Sequence, residues 1–323
     1  METVGLVFHL KLALGAVKLG QQFAGQATST GQNGCMTENC GRLVLAGSPI
    51  GDYRDASARL IEALATADVI AAEDTRRLRQ LCARLGTKPR GQVISYFDGN
   101  EVERAAQLTG QMLNGATVVL VTDAGMPGLS DPGYRLVRAA IEADLPVSVL
   151  PGPSAALTAL VVSGLPTHRF CFEGFVPRKS GERTRYLEGL ARETRTMVFF
   201  EAPHRLADFL DAAVLAFGAD RPAAICRELT KPYEEVIRGP LFKLANWAKG
   251  EVRGEISLVI AGWVGLDEEE ALATALAEVK RLLDQGAKTS QAVSQIAARL
   301  GLRRKTLYEA VLSQRGSEVE GDD

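Results

Sequence analysis

Turn-forming and ionisable residues gather at a few points along this 323-residue chain, and the densest gathering runs from Asp123 to Pro132. Gly125, Pro127, Gly128 and Pro132 fall within those ten positions, and Asp123 and Asp131 add carboxylates. Such a turn lets backbone N–H and C=O groups approach a ligand without interference from side chains, and the prolines fix the backbone before the ligand arrives. Neither a Walker-type Gly-Lys-Ser/Thr ending nor a Gly-x-Gly-x-x-Gly run is present, so phosphate cradling is not indicated. The expected ligand is a neutral or zwitterionic nucleoside-like molecule. Two more stiff turns, Ser48-Pro49-Ile50-Gly51-Asp52 and Pro151-Gly152-Pro153-Ser154, have the same character. Charged residues also cluster at Glu73-Asp74-Thr75-Arg76-Arg77, Glu201-Ala202-Pro203-His204-Arg205 and Glu228-Leu229-Thr230-Lys231. Taken singly, each is an ordinary turn in which Asp74 or Thr75 caps a helix and the arginines are solvated; the combination is more specific.

The elements that must position these turns are legible as apolar runs. Val118 to Val121 is continuous and apolar, which suits a strand buried on both faces and covered by helices. Short strands are predicted at Leu43–Ala46, Val69–Ala72, Val93–Tyr96 and Val147–Leu150, alternating with helices, of which the first is capped by Asp55. Alternation from residue 43 to about 160 argues for a doubly wound parallel sheet, whose ligands sit at the carboxyl ends of its strands. A second α/β unit follows, with strands at Phe170–Phe175, Met197–Phe200, Ala223–Arg227 and Ile256–Ala261, and Glu234–Arg238 pairing with the third of these. Pro177 to Arg185 reads as a mobile basic loop whose Arg178, Lys179, Arg183 and Arg185 could meet phosphates. After the acidic run Asp267–Glu270, helices at Ala271–Leu283, Ser290–Leu300 and Lys305–Ser313 form a tail. Its last two helices, joined by Gly301-Leu302-Arg303-Arg304, resemble a helix-turn-helix unit, although generic helical hairpins outnumber nucleic-acid readers. Gly316 to Asp323 reads as a polar, disordered end. The expected organisation is an extension over residues 1–41, an N-terminal α/β domain over 42–165, a C-terminal α/β domain over 166–265 and a helical tail over 271–315.

Composition narrows the function classes. A net charge of -2 leaves no global electrostatic signature, so nucleic-acid contact must come from local patches. Cys35, Cys40, Cys82, Cys171 and Cys226 show no Cys-x-x-Cys spacing and the three histidines form no ligand set, which points to a reduced, cytoplasmic protein without a metal. No segment reaches the roughly 18 apolar residues that span a bilayer. Lys11 and Lys18 interrupt the apolar start of the chain, so it reads as a disordered or weakly helical extension, with Met36 as an alternative start.

In this order, SPIGD, EDTR, DAGMPGLSDPG, PGPSA, EAPHR, RELTK and RGEISLVIAG resemble the ribosomal RNA small subunit methyltransferase I family, which is one of the tetrapyrrole methylase-like (class III) methyltransferases. The resemblance covers roughly Arg42 to Trp263 and extends to the helical tail. It implies two α/β domains with S-adenosylmethionine in the cleft between them, and a homodimer. It also implies methyl transfer to the ribose 2′-hydroxyl of a cytidine in the decoding region of 16S ribosomal RNA. The cofactor turns carry over onto Pro49, Ile50 and Gly51, onto Asp123, Ala124, Gly125, Met126 and Pro127, and onto Pro153, Ser154 and Ala155. Departures are Ser48 and Asp52, where the family usually has Thr and Asn, Met126 for Thr, and Arg253 for Lys.

Methyl transfer to a poorly nucleophilic hydroxyl calls for a base or hydrogen-bond acceptor beside it. Glu73, His204 and Lys231 are the candidates, with Asp74, Glu201 and Glu228 also at strand ends; Lys231 would have to lose its proton, and as a cation it would hold a phosphate or order a carboxylate. Arg76, Arg77 and Arg205 could hold phosphates, as could Arg303, Arg304 and Lys305 of the tail. Two other readings stay open: a small-molecule methyltransferase acting on a corrinoid or porphyrin precursor, and a nucleic-acid-binding regulator using the tail.

Overall fold

A computed structural model describes residues 40–265 and 268–319. The expected N-terminal extension lies outside the described residues except for Cys40 and Gly41. Five strands, β1 (Arg42–Ala46), β2 (Val69–Ala72), β3 (Gln92–Ser95), β4 (Thr117–Val121) and β5 (Val147–Leu150), form one sheet in the order β3-β2-β4-β1-β5, every pair parallel. Alternate residues of each strand enter different cores. Ile70, Ala72, Val119 and Val121 meet Leu60 and Leu64 of α1 (Ala58–Thr66) and Leu78 and Cys82 of α2 (Thr75–Arg84). On the other face, Val69, Ala71, Val118 and Leu120 meet Leu108 and Met112 of α3 (Glu101–Leu113) and Leu136 and Ala140 of α4 (Tyr134–Glu142). This two-sided burial is why the strands read as unbroken apolar runs rather than alternating ones.

The second sheet has the order β6-β7-β10-β8-β9, from β6 (Phe170–Phe175), β7 (Thr196–Glu201), β8 (Pro222–Arg227), β9 (Glu235–Pro240) and β10 (Ile256–Ile260); β6 and β7 are parallel and the remaining pairs antiparallel. One face packs on α7 (Leu206–Phe217) and α8 (Leu241–Trp247) through Phe209, Leu210, Leu241 and Leu244. The other packs on α5 (Ala155–Ser163), whose Ala156, Ala159 and Leu160 meet Val198, Ala224 and Val259 together with Ile50 of the first turn. This helix leaves the first sheet and lies on the second, and so joins the two halves. The tail, α9 (Glu268–Asp284), α10 (Thr289–Leu300) and α11 (Arg304–Val319), closes around Val279, Val293, Ile296 and Leu307.

Three local expectations are corrected. Ser57, not Asp55, caps α1, its hydroxyl accepting from Leu60 N at 3.0 Å, while Asp55 sits in a preceding 3-10 turn. The expected basic loop holds a helix, α6 (Ser180–Gly189), because Arg183 and Leu187, one turn apart, share its buried face. The final helix continues through Val319, past the expected end at Ser313, and residues 320–323 lie outside the described residues.

Candidate functional site

The three stiff turns meet where β1, β4 and β5 end. Ser48 and Gly125 exchange backbone hydrogen bonds, Ser48 N to Gly125 O at 2.8 Å and Gly125 N to Ser48 O at 3.1 Å. The buried Ser48 hydroxyl also donates to Thr122 O at 3.0 Å, so a small hydroxyl residue here ties the first turn to the organising one. Gly125 must lack a side chain: its φ is +76°, in the left-handed region. Asp52 is turned away from the cleft's polar work, its carboxylate capping the 3-10 turn at Arg54 N (2.9 Å) and pairing with the Arg54 guanidinium. Across the cleft, the turn after β8 holds Glu228 (φ 53°) and Thr230 (φ 62°) in the same unusual region, and it abuts the first turn: Asp52 N donates to Thr230 Oγ1 at 3.1 Å. Strain concentrated in facing turns is characteristic of a ligand clamp.

Between the halves lies a cleft with two adjoining chambers, of about 450 and about 370 Å³. Ile50, Glu73, Arg77, Asp123, Ala124 and Glu255 line both, so the chambers open into one another. The larger adds Gly125, Met126, Ser154 and Ala155 on the first half, and Phe175, Phe200, Glu201, Gly254 and Ser257 on the second. Pro49 and Gly51 line the smaller chamber. Pro127 lines neither; it is buried behind the turn.

Charge in the larger chamber is lopsided. Among the described residues it gathers five carboxylates, Glu73, Asp123, Asp131, Glu201 and Glu255, against the single guanidinium of Arg77. Burial, reinforced by the charges of Glu73, Asp123 and Asp98, pushes the Asp131 carboxyl up to about 7. Burial likewise raises Glu73 and Glu201. The ends of β2 and β4 brace each other there: Asp123 N donates to Glu73 Oε2 at 3.1 Å, Asp74 N donates to Asp123 Oδ1 at 3.2 Å, and Arg77 lies 3.4 Å from Asp123. Ser154 Oγ, buried at the start of α5, has no hydrogen-bond partner among the described residues. A chamber with this charge, an orphaned hydroxyl and backbone-rich turns suits a ligand carrying positive charge on a nucleoside-sized frame, and S-adenosylmethionine fits that description.

The catalytic candidates separate. Glu73 stands at the junction of the chambers. His204 is exposed in a 3-10 turn and lines neither. Lys231 lies 2.9 Å from both Glu228 and Glu255. Burial alone would lower its pKa, but the bonds to these two carboxylates outweigh that and raise it, which favours the ammonium form of Lys231 over a proton acceptor. Glu201 holds Ala202 N at 2.8 Å and lies 3.3 Å from Arg205.

The phosphate candidates separate as well. Arg183 is buried beside Asp208 at 3.4 Å, and the partly buried Arg205 donates to Val176 O at 2.8 Å, so both guanidinium groups are engaged inside the fold. Arg76 binds its own cap residue Asp74 at 2.8 Å. Arg178 is exposed, Lys179 pairs with Glu182 at 3.2 Å, and Arg303, Arg304 and Lys305 stand exposed on the tail. Sequence reasoning missed the second-half wall, Phe175, Phe200 and Ser257, which sits on strand residues; the quoted RGEIS run, which contains Gly254 and Ser257, was the available signal. Among the described residues there is no cluster of three or more metal-ligating side chains, and no helix is long and apolar enough to cross a membrane.

Comparison with known proteins bears on this cleft. The family of tetrapyrrole (corrin/porphyrin) methylases matches residues 42–245. The ribosomal RNA small subunit methyltransferase I of Mycobacterium tuberculosis is 53% identical over 276 residues, covering 85% of this chain and 96% of its own. The protein of that name from Escherichia coli O157:H7 is 38% identical over 279 residues, 85% of this chain and 96% of its own. Among solved structures, a uroporphyrin-III C-methyltransferase from Thermus thermophilus is similar with a TM-score of 0.51 and 23% identity, over 71% of this chain and 98% of that one. A diphthine synthase is similar with a TM-score of 0.52 and 16% identity, over 68% and 89%. At these identities the two structures speak for the fold alone.

Proposed function

The chain belongs to the ribosomal RNA small subunit methyltransferase I family of tetrapyrrole (corrin/porphyrin) methylases, and from that premise we propose that it methylates small-subunit ribosomal RNA with S-adenosylmethionine as methyl donor. The finer reading is transfer to the 2′-hydroxyl of a cytidine ribose in the decoding region of 16S RNA. The observation that carries the cofactor assignment is the larger chamber, with its excess of carboxylates over cations and its converging backbone turns. When bound, the cofactor supplies an activated methyl on a sulfonium.

The protein's own groups do the rest. Asp123, Gly125, Met126, Ser154 and Ala155 hold one side of the donor, and Phe175 and Phe200 offer it apolar surface from the other. Glu73 lies where both chambers meet, and its raised pKa makes it a better proton acceptor than an ordinary carboxylate, so it receives the hydroxyl's hydrogen bond and then its proton. Holding the hydroxyl oxygen in line with the methyl supplies much of the remaining rate. The working form is a homodimer in this reading: α5 exposes Leu157 and Val161, and the edge strand β5 exposes Val149, an apolar surface that a second copy would cover.

The test is methyl transfer from labelled S-adenosylmethionine to small subunits that lack the modification, with the product nucleoside identified. Recovery of label in 2′-O-methylcytidine is expected. Cofactor binding without label in the RNA would redirect the search to small-molecule acceptors.

A further inference from the structure

We propose that the smaller chamber receives a single nucleotide of the RNA, swung out of its stack, with Arg84 on its phosphate and Tyr53 against its base; this assignment rests on the function proposed above. The chamber is built on one stripe of α2. Leu78 and Cys82 seat the helix on the sheet, while Arg77, Gln80, Leu81 and Arg84, at i, i+3, i+4 and i+7, all face the chamber. A helix of a doubly wound fold ordinarily leaves such a stripe to solvent. Here it walls a cavity opposite Gly51 and Tyr53.

Charge singles out the phosphate contact. Arg77 is 3.4 Å from Asp123, and Lys231 is held by Glu228 and Glu255 at 2.9 Å each. Arg84 is exposed, and its guanidinium makes no hydrogen bond or ion pair with any described residue. One uncompensated guanidinium matches the single charge of a phosphodiester, whereas a polycarboxylate ring would need several. Tyr53 lines the chamber and is 43% exposed, and an aromatic ring with exposed surface is suited to stacking on a base. A volume of about 370 Å³ is on the scale of one nucleotide and excludes a stacked run. Because the chamber opens into the larger one at Glu73, a nucleotide seated in it presents its ribose to the methyl donor. A duplex or a stacked strand is too large for a chamber of this volume, so the nucleotide must leave its stack, as substrates of other enzymes acting inside a nucleic acid do.

The test uses the full chain and unmodified small subunits under single-turnover conditions. Arg84→Ala and Tyr53→Ala should each lower methyl transfer by about tenfold or more. Tyr53→Phe should recover most of its loss and Arg84→Lys part of its own, while S-adenosylhomocysteine affinity and thermal midpoint stay at wild-type values. Subunits carrying 5-iodocytidine in the 16S RNA should photocrosslink to the peptide containing Tyr53. Undiminished transfer in both alanine variants, with an active wild type, would overturn the chamber assignment alone. Loss of S-adenosylhomocysteine binding in either would overturn it too, by making the chamber part of the cofactor site. A wild type that transfers no methyl to subunits would refute the proposed function and this assignment with it.

Discussion

Asp131 is where the electrostatics of the cleft can be read out. Its carboxyl titrates near 7, raised by burial and then by Glu73, Asp123 and Asp98, so a proton leaves the larger chamber within the working pH range. A raised pKa in the folded state makes its stability contribution full below the ordinary aspartate range and lost as pH rises through about 7. Without ligand, the protein should therefore become less stable across that window, and Asp131→Asn should flatten the trend. A cationic ligand reverses the balance, because ionised Asp131 then faces positive charge. S-adenosylmethionine affinity should rise about fivefold from pH 6 to 8, the equivalent of ~1 kcal/mol for a partly solvated pair. S-adenosylhomocysteine, without the sulfonium, should show a smaller rise. Calorimetric titration of both ligands at several pH values checks this, and equal pH slopes for the two would remove the sulfonium from the chamber's charge balance.

At the scale of elements, the first turn and the turn after β8 form a contact that tolerates no added atom. A Cβ on Gly51 would lie 2.5 Å from Thr230 Oγ1 and 2.6 Å from Lys231 Cγ. The Lys231 methylene can bend, but Thr230 is held at positive φ and by Asp52 N. Gly51→Val should therefore spread the cleft, with S-adenosylhomocysteine affinity lowered tenfold or more and stability lowered by about 1–3 kcal/mol from overpacking; unchanged affinity would mean the two turns do not jointly shape the site. The contact also shows which parts of the site were legible in the sequence. Pro49, Gly51 and Gly125 announce themselves because turns that must approach a ligand or another backbone demand unusual residues. Phe175, Phe200 and Ser257 do not, since their place in the cleft comes from the packing of one sheet against α5 and leaves no local mark. The same limit explains α6, whose buried face rests on an arginine stem and a leucine, and α8, only seven residues long after Pro240. The buried strands were readable because cores on both faces require apolar residues at every position.

For the whole molecule, the question is how a protein of net charge -2 engages a polyanion. A uniform field cannot do it, and the cleft is acidic, so attraction has to be delivered by a separate patch. The tail supplies one: Arg303, Arg304 and Lys305 sit together, exposed, where α10 turns into α11, and among the described residues only Lys305 of the three has an acidic partner, Glu309 at 3.9 Å. Each phosphate neutralised by such a residue releases counterions and adds about 0.7–0.9 to the slope of log affinity against log salt. Replacing all three with alanine should weaken small-subunit binding at physiological salt by about tenfold or more and make that slope shallower by roughly 2–3. S-adenosylhomocysteine affinity should not change, because the tail packs around its own core of Val279, Val293 and Leu307 and contributes no wall to either chamber. Binding measured over a salt series separates the possibilities. A lower affinity with an unchanged slope would mean that the triple variant disturbs docking by shape, and an unchanged affinity would move RNA recognition to Arg178, Lys179 and the face of α2.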